Sequence, residues 1–222
     1  MNSTEDFIPY ISDNISDEEM LLCSEKYYSK INKRRSLREF SKKQVPKEII
    51  ENIIKAASCA PSGANKQPWM FCAVSSAEVK KNIRKAAEKE EYEGYHGRMS
   101  DEWIEDLKQF GTDWHKEFLE EAPWLIVVFK QVYNIDDEGI RHNNYYVNES
   151  VGLATGFLLN AIHEVGLVAL THTPSPMNFL VKELNRPANE RPFLLIPVGY
   201  PKENSTVPNI ERKPLDEISE WY

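Results

Sequence analysis

Two short segments carry the residue types that bind a phosphate and a flat ligand. The run RRSLR at residues 34–38 places three guanidinium groups and one hydroxyl within five residues. Guanidinium forks bind phosphate oxygens bidentately, and a hydroxyl adds a further donor. The second segment, PSGANKQPW at residues 61–69, is typical of a loop whose bare backbone N–H groups approach a ligand. A solvated basic patch and a plain helix-to-strand loop are the alternatives for these segments taken alone.

A third set of residues has the chemistry that recognition of a free amino acid requires. The zwitterion carries an ammonium and a carboxylate, so its site needs one anion, one cation and a neutral hydrogen-bonding group. Glu91 and Tyr95 lie on one face of a predicted helix, and Lys116 follows in a later segment. Glu91 suits the ammonium, whereas Lys116 and the Tyr95 hydroxyl suit the carboxylate. The alternative for these residue types is a solvated helix surface.

Composition and charge argue against several classes of partner. The formal net charge of −8 disfavours nucleic-acid binding, which needs a surplus of Lys and Arg on one face. The five histidines and three cysteines lack metal-ligand spacing, so we predict no metal site. No apolar run reaches the roughly 18 residues that suggest a membrane span, and the acidic first residues do not resemble a signal peptide. We therefore expect a cytoplasmic protein with neither a membrane nor a nucleic-acid partner.

The elements that must position these residues follow from the hydrophobic pattern. Helical spacing and capping signals predict helices at residues 17–30, 46–60, 77–95, 100–110, 113–121, 147–165 and 176–185. Apolar runs predict strands at residues 69–75, 124–130, 166–171 and 193–199. The remaining stretches are read as a polar loop at 132–144 and an extended strap at 201–222. Without repeats or linkers, the pattern predicts an N-terminal arm and helix (1–32) followed by one α+β domain (33–222).

In these motifs the chain resembles the nitroreductase superfamily and, within it, the iodotyrosine deiodinases. The arginine-rich run and the PSGA and QPW stretches carry the first resemblance, and Glu91, Tyr95 and Lys116 narrow it to the deiodinases. The resemblance covers residues 33–215. It implies an α+β nitroreductase-like fold, with a central, mainly antiparallel sheet flanked by helices. It also implies a domain-swapped type of homodimer with FMN at the interface, a lid over residues 88–118, and a form without the membrane anchor of animal deiodinases.

The resemblance also implies roles for individual residues. It assigns FMN binding to Arg34, Arg35, Ser36, Leu37, Arg38, Ser62, Gly63, Thr171, His172, Thr173 and Arg212. It assigns the substrate to Glu91, Tyr95, Lys116 and the backbone N–H of Ala64, which is aimed at the phenolate oxygen. Thr173 is the implied catalytic residue, because a hydrogen bond to the flavin N5 favours one-electron transfer. His172 stands where the family more often has threonine, and Trp103 matches an aromatic residue of the lid.

The activity that the resemblance implies is FMN-dependent reductive dehalogenation of 3-iodo- and 3,5-diiodo-L-tyrosine to tyrosine and halide. The chain contains no G-x-G-x-x-G nicotinamide fingerprint, so we expect NADPH or NADH to supply electrons through a separate reductase. Two alternatives remain open at this point. One is a general NAD(P)H-dependent nitroreductase or flavin reductase of the same fold. The other is a non-catalytic protein that binds flavin or halotyrosine.

Overall fold

The computed structural model describes residues 7–222, which divide into two units. The first unit ends at Arg34, and the second comprises Arg35–Tyr222. In the first unit, helix α1 spans Asp17–Ile31. Its start is a capping box, because the Ser16 hydroxyl accepts the Glu19 N–H at 3.3 Å and the Glu19 carboxylate accepts the Ser16 N–H at 2.9 Å. This reciprocal bonding explains why the predicted helix begins there.

The second unit mixes helices with short strands. Its helices are α2 (Lys47–Ser58), α3 (Ala77–Glu93), α4 (Asp101–Lys108), α5 (Phe118–Glu121), α6 (Val147–Glu164) and α7 (Phe179–Glu183). Its strands are β1 (Trp69–Val74), β2 (Trp124–Gln131), β3 (Tyr133–Ile135), β4 (Arg141–Asn143), β5 (Val168–Ala169) and β6 (Glu190–Gly199). A 3₁₀ turn covers Gly63–Asn65, and a π-helical turn covers Gly94–Arg98. Within residues 7–222, no helix has the length and apolar character to cross a membrane.

Four strands form the central sheet in the order β1-β2-β6-β5, and every neighbouring pair is antiparallel. The segment that begins the second unit runs along the β5 edge. Ser36 pairs with Ala169 in parallel, and Phe40 pairs with Pro201 in antiparallel orientation. The mainly antiparallel sheet of the predicted fold class is thereby confirmed.

Helices cover both faces of this sheet. On β2, Ile126 and Val128 pack into an apolar cluster with α2 and α6, whereas Val127 and Phe129 pack into a second cluster with α3, α5 and α7. Because both faces are buried, β2 reads in the sequence as an uninterrupted apolar run. The α+β class with a helix-flanked sheet is confirmed, and the two helical layers are the frame for the site.

The predicted polar loop at residues 132–144 is wrong. These residues form the β3–β4 hairpin, whose turn is held by Asp136 Oδ1 accepting the Ile140 N–H at 2.8 Å. The second carboxylate oxygen of Asp136 lies 2.7 Å from the His142 Nε2. Polar side chains stabilise this hairpin, so it lacks the apolar alternation by which a strand is recognised. The strand predicted at 166–171 shrinks to Val168–Ala169. Its start is delayed because Gly166, which follows the C-cap of α6, is left-handed with φ of 79°.

Candidate functional site

Within the arginine segment (residues 34–38), the part that belongs to the second unit lies beside β5. The Leu37 N–H donates to the Ala169 carbonyl at 3.3 Å, and the Leu37 side chain is buried. Shortly after Ala169, the exposed Thr171 and Thr173 flank the buried His172. This alternation puts both threonines on the outer face of the extended chain. The structure therefore brings two predicted FMN-binding segments together at one edge of the sheet.

The predicted amino-acid clamp (Glu91, Tyr95 and Lys116) is assembled and largely buried. Glu91 near the end of α3 and Lys116 just before α5 form an ion pair with Oε2 and Nζ 3.3 Å apart, and their side chains are only 9% and 3% exposed. The Lys116 ammonium also donates to the Thr112 hydroxyl at 3.2 Å and to the Asp113 carbonyl. The Tyr95 hydroxyl donates to the Thr112 carbonyl at 3.3 Å, and its ring centroid lies 5.7 Å from the Lys116 Nζ. Glu91 and Tyr95 therefore both lie beside the buried Lys116 ammonium.

Burial controls the electrostatics of the clamp. Desolvation lowers the pKa of Lys116, although the Glu91 carboxylate opposes this shift. Desolvation, followed by the negative charge of Glu91, raises the pKa of Tyr95, so its hydroxyl remains a proton donor at neutral pH. Removing one partner of a buried ion pair typically costs about 3–5 kcal/mol, because the other charge stays desolvated and unpaired. A ligand that separates Glu91 from Lys116 must therefore offer both an ammonium and a carboxylate.

Arg38 is the residue of the arginine segment that lies near the clamp. Its guanidinium is partly buried and lies 5.9 Å from the centroid of the Phe110 ring. Desolvation lowers the pKa of Arg38, and Tyr95 opposes that shift, which places the two side chains within electrostatic reach. Among the residues of the second unit, Arg38 makes no salt bridge with a carboxylate. A partly buried cation without an anion fits the oxygen atoms of FMN, so this edge of the sheet has a donor set suited to that cofactor.

The structure places the His172 side chain inside the protein, between the clamp and the sheet. Its ring lies edge-on to Phe118 with centroids 5.5 Å apart, and its backbone N–H and carbonyl both bond to Leu195. The Nε2 atom is buried and has no hydrogen-bond partner among the described residues. Burial, reinforced by the positive charges of Lys116 and Arg38, lowers the pKa of His172 to about 3. The imidazole is therefore neutral at physiological pH and lies under the clamp.

The turn at residues 62–67, here called the glycine turn, has an unusual backbone. Ala64, Asn65 and Gln67 have left-handed φ values of 49°, 52° and 46°. The turn is closed by the Ser62 hydroxyl, which accepts the Gln67 N–H at 2.9 Å. Consecutive N–H groups in right- and left-handed conformations form concave anion sites, and strained backbone is concentrated at functional sites. This geometry suits the predicted donation from the Ala64 N–H to a phenolate.

The glycine turn is anchored to α6. The Gly63 N–H donates to the Ser150 hydroxyl at 3.3 Å, and a β-carbon at Gly63 would lie 3.0 Å from the Tyr146 ring. Close packing therefore favours glycine at this position. Since α6 covers one face of the sheet and the clamp helices α3 and α5 cover the other, Ser62, Gly63 and Ala64 belong to a different layer from the clamp of the same chain.

Three further arginines and one tryptophan were predicted at the site. The Arg35 guanidinium donates to the carbonyl of Pro208, which ties the C-terminal strap to the arginine segment. Arg212 is exposed four residues further along this strap, and Arg34 ends the first unit. Trp103 lies on α4 with 52% of its surface exposed. The roles assigned to these four residues remain predictions.

Sequence reasoning missed Thr112 and Asp113, which hold the Lys116 ammonium. Residues 113–121 were predicted as one amphipathic helix, but α5 is a single turn at Phe118–Glu121. The chain turns before it, because the Asp113 carboxylate accepts the His115 N–H at 2.8 Å. An aspartate that bonds two residues ahead is a recognisable turn signal, and it was available in the sequence. Within residues 7–222, no group of three or more His, Cys, Asp or Glu side chains is arranged for a metal ion.

Comparisons with known proteins identify relatives of this chain. The nitroreductase family model matches residues 31–200. Iodotyrosine deiodinase of Haliscomenobacter hydrossis is 62% identical over 207 residues, covering 93% of each chain. Human iodotyrosine deiodinase 1 is 44% identical over 212 residues, which are 95% of this chain and 73% of the human one. A crystal structure of oxidised iodotyrosine deiodinase bound to FMN and 3-iodo-L-tyrosine matches with a TM-score of 0.75 and 31% identity, over 88% of this chain and all of that one.

Proposed function

Because this chain belongs to the nitroreductase family and, within it, to the iodotyrosine deiodinases, we propose that it removes halogen reductively from halotyrosines with FMN as its cofactor. The reaction replaces a carbon–halogen bond by a carbon–hydrogen bond, consumes two electrons and one proton, and releases halide. The observation that carries the proposal is the buried Glu91–Lys116 ion pair with the Tyr95 hydroxyl beside it. That arrangement matches the two charges and the hydrogen-bonding groups of a free amino acid.

Recognition of the substrate zwitterion is an exchange of ionic partners. The ammonium takes the place of Lys116 beside the Glu91 carboxylate, and the carboxylate takes the place of Glu91 beside the Lys116 ammonium. The Tyr95 hydroxyl, now bonded to the Thr112 carbonyl, adds a neutral donor for the carboxylate. Each buried charge is paired before and after binding, so the exchange avoids the penalty of an isolated charge.

The phenol end of the substrate is assigned to the glycine turn. A halogen ortho to the hydroxyl acidifies the phenol, so the substrate arrives largely as a phenolate, and a desolvated anion needs a hydrogen-bond donor. The left-handed Ala64 and Asn65 shape a concave stretch of backbone in which the Ala64 N–H supplies that donor. The turn thereby selects the ionised halophenol at one end of the molecule while the clamp selects the zwitterion at the other.

The residues at the β5 edge, together with Arg212 on the C-terminal strap, would hold FMN. Arg38, Ser36 and Arg212 are assigned to its phosphate and pyrimidine oxygens, and Thr171 and Thr173 have the exposure required to reach the flavin ring. Bound FMN supplies the electrons that reduce the carbon–halogen bond. With FMN bound, the Thr173 hydroxyl would donate a hydrogen bond to the flavin, which would favour transfer of single electrons. The lid at residues 88–118, which contains the clamp, excludes water once the substrate is bound.

Two features support a homodimer with sites shared between subunits. The glycine turn and the clamp lie in different helical layers of one chain, so a second chain is a simple way to bring the two together. In addition, α6 exposes Leu153 and Phe157 one turn apart. Beside them lie Gly152 and Gly156, and a β-carbon built at either glycine would face open space. A helix that is apolar on its outer face as well as its inner face is typical of an interface. A separate NAD(P)H-linked reductase is the proposed electron source.

The experiment that tests the function is a titration of the FMN-loaded protein with 3,5-diiodotyrosine, followed by flavin fluorescence. We expect strong quenching by diiodotyrosine, far weaker quenching by tyrosine, and release of iodide when dithionite is added. Quenching without iodide release would indicate a binding protein. Reduction of nitroaromatics by NAD(P)H, with no preference for diiodotyrosine over a simple iodophenol, would indicate a general nitroreductase.

A further inference from the structure

Side chains on one face of α3 form hydrogen bonds and salt bridges with the segment that carries Lys116. Lys80, buried in this face, donates from its ammonium to the Glu120 carbonyl at 2.9 Å and to the Ala122 carbonyl at 2.6 Å. One turn later, Arg84 forms salt bridges with Glu117 and Glu120, both at 3.3 Å. These contacts hold the end and the outer side of α5 against α3. They do not reach Lys116 itself.

Glu88, one further turn along α3, makes the contact at Lys116. Its Oε1 atom accepts the backbone N–H of Lys116 at 2.8 Å and the Arg84 Nε at 2.7 Å. The Glu88 side chain is only 17% exposed, so both bonds form in a weakly hydrated environment. A carboxylate that accepts a backbone N–H is a charge-assisted acceptor, which is stronger than a neutral one. No role in substrate binding has been assigned to Glu88 so far.

We propose that Glu88 is a positioning residue that fixes the Lys116 backbone, so that its ammonium lies where the substrate carboxylate binds. The inference rests on the proposed function. Thr112 and Asp113 hold the ammonium end of Lys116, and Glu88 holds its main chain, so the side chain is fixed at both ends. The acceptor is on the helix that also carries Glu91, and the two charged ends of the zwitterion site are thereby held at a constant spacing. A side chain fixed in this way loses little freedom when the ligand binds.

The test separates positioning from a general structural role by using two substrates. 3-Iodotyrosine carries the zwitterion, whereas 2-iodophenol has the same reacting bond without it. For Glu88→Ala we expect the KM for 3-iodotyrosine to rise about tenfold, while the KM for 2-iodophenol, the FMN affinity and the kcat change less than twofold. Glu88→Gln keeps an acceptor oxygen for the Lys116 N–H and should recover most of the loss. In a Lys116→Ala background, Glu88→Ala should add nothing to the KM for 3-iodotyrosine.

The matched control is Glu120→Ala. It removes a carboxylate that also bonds Arg84 but does not contact Lys116, so both KM values should stay at the wild-type level. An equal rise of KM for the two substrates in Glu88→Ala, an unchanged KM for 3-iodotyrosine, or a rise of the same size in Glu120→Ala would each overturn the inference. Failure of wild-type protein to release iodide from 3-iodotyrosine would instead overturn the proposed function, so the two failures are distinguishable.

Discussion

Replacing His172 should remove much of the acid sensitivity of folding. Burial holds the pKa of His172 at about 3 in the folded protein, against 6.5 for an ordinary histidine in the unfolded chain. Between these values the unfolded state binds a proton that the folded state does not bind. The contribution of His172 is therefore fully present above pH 6.5 and is lost as the pH falls toward 3. At about 1.4 kcal/mol per pH unit, the loss amounts to about 2 kcal/mol at pH 5 and to about 5 kcal/mol over the whole window.

The assay is urea unfolding of the FMN-saturated protein at pH 7, 6, 5 and 4.5, for wild type and for His172→Asn. Protonation of carboxylates lowers the stability of both proteins equally, so only the difference between their free energies of unfolding matters. We expect the difference at pH 7 to shrink by about 2 kcal/mol at pH 5, because asparagine does not titrate. His96→Asn makes the same substitution at an exposed histidine and is the matched control. Equal pH slopes in wild type and His172→Asn would refute the reasoning.

Three further predictions concern the clamp, the flavin face and the subunit contact. Glu91→Gln should weaken diiodotyrosine binding by at least tenfold, since it removes the partner of the ammonium, and should leave FMN binding nearly unchanged; equal loss of both affinities would remove the clamp assignment. Thr173→Ala should slow single-turnover iodide release at least tenfold with diiodotyrosine affinity preserved, and an unchanged rate would contradict its catalytic role. Phe157→Glu should convert a dimer to a monomer in sedimentation velocity, because it places a charge on the exposed apolar face of α6; a dimer that persists would place the interface elsewhere.

The sequence was sufficient where a local pattern determines the structure. Strand β2 is apolar along its length because helices cover both of its faces. Helix α3 carries Glu91 near its end, and Tyr95 lies just beyond it in the π-helical turn. Both could be predicted from periodicity. The nitroreductase family and its deiodinase branch were also predicted, and the comparisons confirm them.

What could not be predicted depends on contacts between distant segments. The pairing of Glu91 with Lys116 and the approach of Arg38 to Tyr95 exist only once α3, α5 and the β5 edge are packed. The burial of His172 has the same origin, since its ring lies against Phe118 while its neighbours along the chain are exposed. The β3–β4 hairpin was missed for another reason: polar bonds around Asp136 stabilise it, and they leave no hydrophobic signature.

The separation of the glycine turn and the clamp into opposite layers has a consequence for mixtures of two inactive variants. If each site combines the turn of one subunit with the clamp of the other, two differently damaged chains can restore one another. A chain with Lys116→Ala and a chain with Ala64→Pro would each be inactive alone, yet half of the dimers in an equal mixture would contain both kinds of chain and one undamaged site. Such complementation would return roughly a quarter of the wild-type activity. Two differently damaged copies of this protein would therefore be partly active together although each is inactive alone.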